Sequence, residues 1–149
     1  MYLFRSRLLG ALRAILFVVL VAVTLGCTQE ASEEQVTPMV EEYFATMKAK
    51  DFDKLLTFYH EDFFNAHPAG EWVEYLKDVR ATLGEIESLK LKQSQVNTVL
   101  TGRRFIYEYS VKYEKGFAKE MVMFFQDIGG TEIKVQMHRI DSRLLQAGK

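Results

Sequence analysis

Arg103-Arg104-Phe105-Ile106-Tyr107-Glu108-Tyr109-Ser110-Val111-Lys112-Tyr113-Glu114 alternates bulky apolar with polar side chains for a dozen residues. Period two is the signature of a strand with one face buried, because successive side chains leave a strand on opposite sides. Phe105, Tyr107, Tyr109, Val111 and Tyr113 form the inward row, and Arg104, Glu108, Ser110 and Lys112 the other. Similar segments flank it. Leu89 to Leu100 reads as a long, bulged strand closed by a Thr101-Gly102 turn. Phe117 to Gln126 and Thr131 to Ile140 follow, separated by Lys115-Gly116 and by Asp127-Ile128-Gly129-Gly130. Short turns between consecutive strands predict an antiparallel meander.

Before Gly84 the period is helical. Val36, Val40, Tyr43, Phe44 and Met47 recur at helix spacing, and the helix can start at Thr37-Pro38 or at a Ser32/Gln35 capping box. Asp51 is placed to cap a second helix carrying Phe52, Leu55, Leu56 and Tyr59. A third starts near Gly70 and puts Trp72, Tyr75, Leu76, Val79 and Leu83 on one face, with Gly84 just past its end. The link His60 to Ala69 reads as turns. The expected fold class is α+β: three N-terminal helices packed on a curved antiparallel sheet of about four strands, after a signal peptide.

Tight turns centred on Lys115-Gly116 and Ile128-Gly129 set the register. They place Tyr107 and Tyr109 beside Val122, Phe124, Ile133 and Val135, facing the helices. Ile106, Met121, Met123 and Phe125 fall on the outer face, Ile140 with them. The run Met121-Val122-Met123-Phe124-Phe125 is apolar on both sides, so its outer half is expected to meet a protein partner or a second copy, or to lie under long side chains such as Lys112, Lys134 and Gln136.

Residues 36 to 141 resemble the nuclear transport factor 2-like, or cystatin-like, cone fold, and within it a bacterial envelope family of unknown function. The resemblance rests on Glu71-Trp72 through Ala81-Thr82-Leu83-Gly84, Phe105-Ile106-Tyr107-Glu108-Tyr109, Lys119-Glu120-Met121-Val122-Met123 and Ile133-Lys134-Val135. It departs at Met137-His138, where related chains often carry an aromatic. It implies a pocket between sheet and helices, in which members such as ketosteroid isomerase work.

The first residues have the order of a secretory leader. Arg5, Arg7 and Arg13 are the sole charges before Cys27, and Ala14 to Leu25 is unbroken apolar sequence, shorter than a spanning helix. Leu25-Gly26-Cys27 resembles the lipobox of bacterial lipoproteins, with Thr24 where Leu is usual. The resemblance implies diacylglycerol on the Cys27 thiol, cleavage before it and acylation of the new amine. With Thr28 rather than Asp next, it implies the outer membrane, facing the periplasm, rather than the inner one. An uncleaved anchor and a free thiol are the competing readings. The expected division is a signal peptide at 1–26, a lipidated tether at 27–35, the α+β domain at 36–141 and a polar tail at 142–149.

From Cys27 onward sixteen Lys and Arg meet all 20 acids, a net charge of −4, with no basic cluster. That composition excludes nucleic acid as a partner. Cys27 is the single cysteine, so no disulfide staples the chain. Catalysis in a cone pocket needs an inward carboxylate near a tyrosine. Tyr107, Tyr109 and Tyr113 supply hydroxyls, but Glu108 has the wrong parity and Asp51 and Asp53 belong to a helix start. His60 and His67 are read as exposed loop residues and His138 as lying on the last strand's edge. No catalytic residue, cofactor site or metal site is assigned. The expectation is a lipid-anchored, non-catalytic binding module attached to the membrane through Cys27, with Tyr107 and Tyr109 facing an apolar small molecule and Ile106, Met121, Met123 and Phe125 facing a partner. The alternative is a small isomerase- or hydratase-like enzyme.

Overall fold

A computed structural model describes residues 31–147. The leader, Cys27 and the first part of the tether lie outside the described residues. Four helices precede the sheet: α1 (Glu33–Ala49), α2 (Phe52–Leu56), α3 (Glu61–Ala66) and α4 (Ala69–Leu83). Four strands follow, β1 (Ile86–Val99), β2 (Gly102–Tyr113), β3 (Gly116–Asp127) and β4 (Ile133–Asp141), and then a short α5 (Arg143–Gln146). The strands pair antiparallel in chain order. The fold class is the expected α+β.

The departures have local causes. Helix α1 takes the earlier of its two possible starts, where the Ser32 amide donates to Gln35 Oε1 at 2.9 Å. The helix thus begins before the tether's expected end. Helix α3 occupies the segment read as turns. It is under two turns long, too short for a periodicity to register, and it is held by Phe63 packing on Tyr59 and Trp72 (ring centroids 4.4 and 5.0 Å). The expected polar tail contains α5, whose start is capped by Ser142. Tyr75 sits at the margin of the α4 stripe, stacked on Trp72 and partly exposed. Asp51 caps α2 as expected, accepting from the Lys54 amide at 3.1 Å.

All three hairpin turns fall beside their expected places. The β2–β3 turn is Glu114-Lys115, with Tyr113 opposite Gly116, so the register slips by two residues relative to a Lys115-Gly116 turn. A slip of two keeps every side chain on its face. Tyr107 pairs with Val122, and Ile106 with Met123. The β1–β2 turn is Leu100-Thr101, and Gly102 begins β2. A Cβ at Gly102 would collide with the Gln126 carbonyl and stand 2.8 Å from the Phe125 ring, so only glycine lets the strands approach here. Strand β1 carries the expected irregularities, between Ile86 and Ser88 and between Leu91 and Gln93.

The β3–β4 pairing contains the decisive irregularity. Phe124 is opposite Val135, yet Met123 is opposite Met137, so Gln136 is an extra residue in β4. Before the bulge, Ile133 and Val135 face the helices. Past it the parity inverts, and His138 and Ile140 turn inward. The expected outer placement of Ile140 is therefore corrected. The free edge of β4 is covered by Phe58 to His60: Val135 N–H donates to Phe58 O at 2.8 Å and His60 N–H to Val135 O at 2.9 Å. One core results, joining Val36, Val40 and Tyr43 of α1 and Trp72, Leu76 and Val79 of α4 to Phe105, Val111, Val122 and Phe124 of the sheet.

Candidate functional site

Two features meet between the helices and the inner sheet face: a buried polar network and an aromatic cleft above it. The network centres on Glu120 of β3 and His138 of β4. Their side chains are 0% exposed, with Nε2 of His138 3.2 Å from Oε2 of Glu120. The Tyr113 hydroxyl donates to Glu120 Oε1 at 2.6 Å. On the other side of the imidazole, Nδ1 lies 2.7 Å from the Tyr43 hydroxyl and 3.1 Å from that of Tyr59, and the two hydroxyls are 2.6 Å apart.

Donor and acceptor counting allows a closed chain, and the shorter contact to Nδ1 assigns Tyr43 as its donor. Tyr59 O–H donates to the Tyr43 oxygen, Tyr43 O–H to Nδ1, Nε2–H to Glu120 Oε2, and Tyr113 O–H to Oε1. Every member is satisfied internally, the condition under which buried polar groups are tolerated. Burial, with help from Glu120, pushes the Tyr43 and Tyr113 phenols far above their ordinary range, and burial does the same for Tyr59. All three therefore remain O–H donors. Arg80 of α4 lies over the Tyr113 ring, 5.6 Å from its centroid, and donates to the Met47 carbonyl at 2.7 Å, clamping the far end of the network.

The cleft lies between α4 and β4, with a volume of about 360 Å3 and walls that include His67, Glu71, Trp72, Tyr75, Arg139 and Ile140. Trp72 and Tyr75 are stacked at 5.1 Å and 27°. Trp72 also meets His138 edge-on at 5.5 Å. His138 is itself among the walls of the cleft, so the network meets the cleft there, beside the Trp72 ring. The buried Trp72 indole N–H makes no well-formed hydrogen bond, but it lies close enough to the Tyr59 hydroxyl to oppose the rise that burial imposes on that phenol.

Tyr107 and Tyr109 face the helices as expected, but they are not among the walls of this cleft. Tyr109 packs edge-on against Phe44 at 4.6 Å. The Tyr107 hydroxyl is buried near Thr37 without a well-formed hydrogen bond, and burial pushes its phenol to about 12. On the outer face, Ile106, Met123 and Met137 form a half-buried row across β2, β3 and β4, and Met121 stands next to it. Phe125 does not belong to an accessible patch. It is 5% exposed, packed beside Gly102 and flanked in register by Arg104 and Lys134, so its expected partner role is corrected. Ion pairs border the row, Lys119–Glu108 at 2.6 Å and Arg139–Asp141 at 2.6 Å. Met123→Glu should leave the domain folded, at a cost of about 1 kcal/mol, because its side chain reaches solvent. Urea denaturation checks this, and complete unfolding would place Met123 in the core.

His138 is not the unremarkable edge residue the alternation implied. It is a buried member of the network. His60 caps α3, accepting from the Asp62 amide at 3.2 Å, and His67 leans on Phe63 and lines the cleft. Glu120 supplies the inward carboxylate that sequence reasoning missed. Its signal was present, since Glu120 shares the parity of Val122 and Phe124. Among the described residues no three His, Cys, Asp or Glu side chains are grouped to hold a metal, and no helix is long and apolar enough to cross a membrane.

No protein-family model and no curated protein matches this chain. Solved structures do match. Bd1075 of Bdellovibrio bacteriovorus aligns with a TM-score of 0.53 and 16% identity, over 74% of this chain and 41% of that one. The chain thus spans about two-fifths of that protein's length, and the likeness is one of fold.

Proposed function

We propose that this chain is a lipid-anchored envelope protein acting as a non-catalytic binding module, and that the cleft between α4 and β4 receives an apolar or aromatic group. The observation that carries the reading is the stacked Trp72–Tyr75 pair. It presents aromatic surface to a cleft with Glu71, His138 and Arg139 at its walls, while the side chains of Glu120 and His138 have no exposed atom. Sites of this composition bind by apolar contact and use few polar groups for orientation.

Trp72 is the single tryptophan, so its emission reports on the cleft directly. Titration with 1-anilinonaphthalene-8-sulfonate should quench it saturably, and Tyr75→Ala should weaken that probe about tenfold, or about 1.4 kcal/mol. Non-saturable quenching, or equal affinity in the variant, would remove the cleft as the binding site.

The Tyr113–Glu120 contact favours a second reading, an isomerase- or hydratase-like enzyme using Glu120 as base. That chemistry requires substrate to reach a carboxylate that has no exposed side-chain atom. A phenol soaked into crystals and found against Glu120 would decide for the enzyme, and one found against Tyr75 for the binding module.

A further inference from the structure

The exposed apolar side chains of the sheet's two ends differ in their relation to the N-terminus. Leu100, in the β1–β2 turn, is 98% exposed, and Ile128, after β3, is 74% exposed. The two tips are tied together, Ile128 N–H donating to Thr101 O at 2.8 Å. The start of the described chain is fixed to the same end. Ala31 N–H donates to Gln126 Oε1 at 2.9 Å, Arg103 Nη1 donates to Ala31 O at 2.6 Å, and the Gln126 amide in turn holds the Gly130 carbonyl at 3.0 Å. Cys27 is four residues upstream of Ala31. Four residues reach about 14 Å at most, even fully extended.

We propose that this end of the sheet lies against the membrane, with Leu100 and Ile128 set into the lipid interface. The proposal rests on acylation of Cys27. With that anchor, the short reach to Ala31 holds both tips at the bilayer surface. A nearly fully exposed leucine beside an isoleucine then exchanges water for lipid. The contact is apolar rather than polybasic: Asp127 and Glu132 near Ile128 offset Arg103 and Arg104 near Leu100, so net attraction to anionic headgroups contributes little. The orientation follows. Strand β2 runs away from the membrane and β3 returns to it, and the Glu114-Lys115 turn between them, with exposed Phe117 beside it, points away at a distance of roughly 37 Å along the strands.

The test uses the full chain purified from membranes and reconstituted in phosphatidylethanolamine–phosphatidylglycerol vesicles. Leu100→Cys, Ile128→Cys and Phe117→Cys are each labelled with a polarity-sensitive maleimide. The acylated Cys27 thiol is blocked, so the parent chain should not label. Nitroxide-bearing lipid should then quench the probes at 100 and 128 at least threefold more than the probe at 117. Equal quenching at all three, or strongest quenching at 117, overturns the orientation while leaving the anchor intact. Labelling of Cys27 in the parent chain overturns the anchor, and the orientation with it.

Discussion

Glu120→Ala should destabilise the domain by about 3–5 kcal/mol, a large share of the 5–15 kcal/mol that holds a domain of this size together. Removing the carboxylate leaves Nε2–H of His138 and the Tyr113 hydroxyl without their buried acceptor. It also leaves a void among Tyr43, Tyr113 and His138. Glu120→Gln separates the two effects. The amide oxygen can still accept from Tyr113, and its N–H can face the imidazole if the ring changes tautomer. That change reverses the tyrosine chain and orphans one hydroxyl at Tyr59, so the expected cost is about 1–2 kcal/mol. Urea denaturation followed by circular dichroism measures both. A loss below about 1 kcal/mol for the alanine variant would mean that the network does not carry the core.

Trp72→Ala is the second large effect, also about 3–5 kcal/mol, as for other large aromatic side chains deleted from cores. Its indole touches four aromatic neighbours from α2–α3 and α4, Phe63, Tyr75, His67 and Tyr59, and it roofs His138. Its loss widens the cleft beside His138 and exposes the imidazole to water. Trp72→Phe should cost much less, about 1 kcal/mol, because a phenyl ring keeps most of the aromatic packing and the indole N–H makes no well-formed hydrogen bond. Near-equal losses for Phe and Ala would show that the N–H is engaged and that the ring's packing is secondary.

The two variants probe different levels of legibility. Trp72 is readable as a core residue from its helical stripe. Tyr75, on the same stripe, was expected to be packed as well, and its exposure decides where a ligand can stack. Helical periodicity gives the direction of a face, while the width of the buried band depends on what lies opposite. Here the bend of β4 leaves room beside α4, and Tyr75 projects into it.

The alternation of Phe105 to Tyr113 by itself determined the meander, the buried face and the identity of its inward residues. A side chain's face depends on parity alone, and a turn displaced by two residues does not change parity. Asp51, Ser32 and Gly84 marked helix boundaries for equally local reasons, since caps satisfy backbone groups within a few residues. Glu120 was available to the same count of two. Its role was not, because the partners that make a buried carboxylate tolerable come from β2 and β4, with α1 and the α2–α3 connection completing the network. His138 was beyond reach of the sequence. One extra residue, Gln136, reverses every face after it, and whether a strand bulges is settled by its fit to its neighbour. The buried network, the cleft above it and the gathering of Ala31, Leu100 and Ile128 at one end of the sheet all depend on contacts between residues far apart in the chain. Only the tertiary structure decides those.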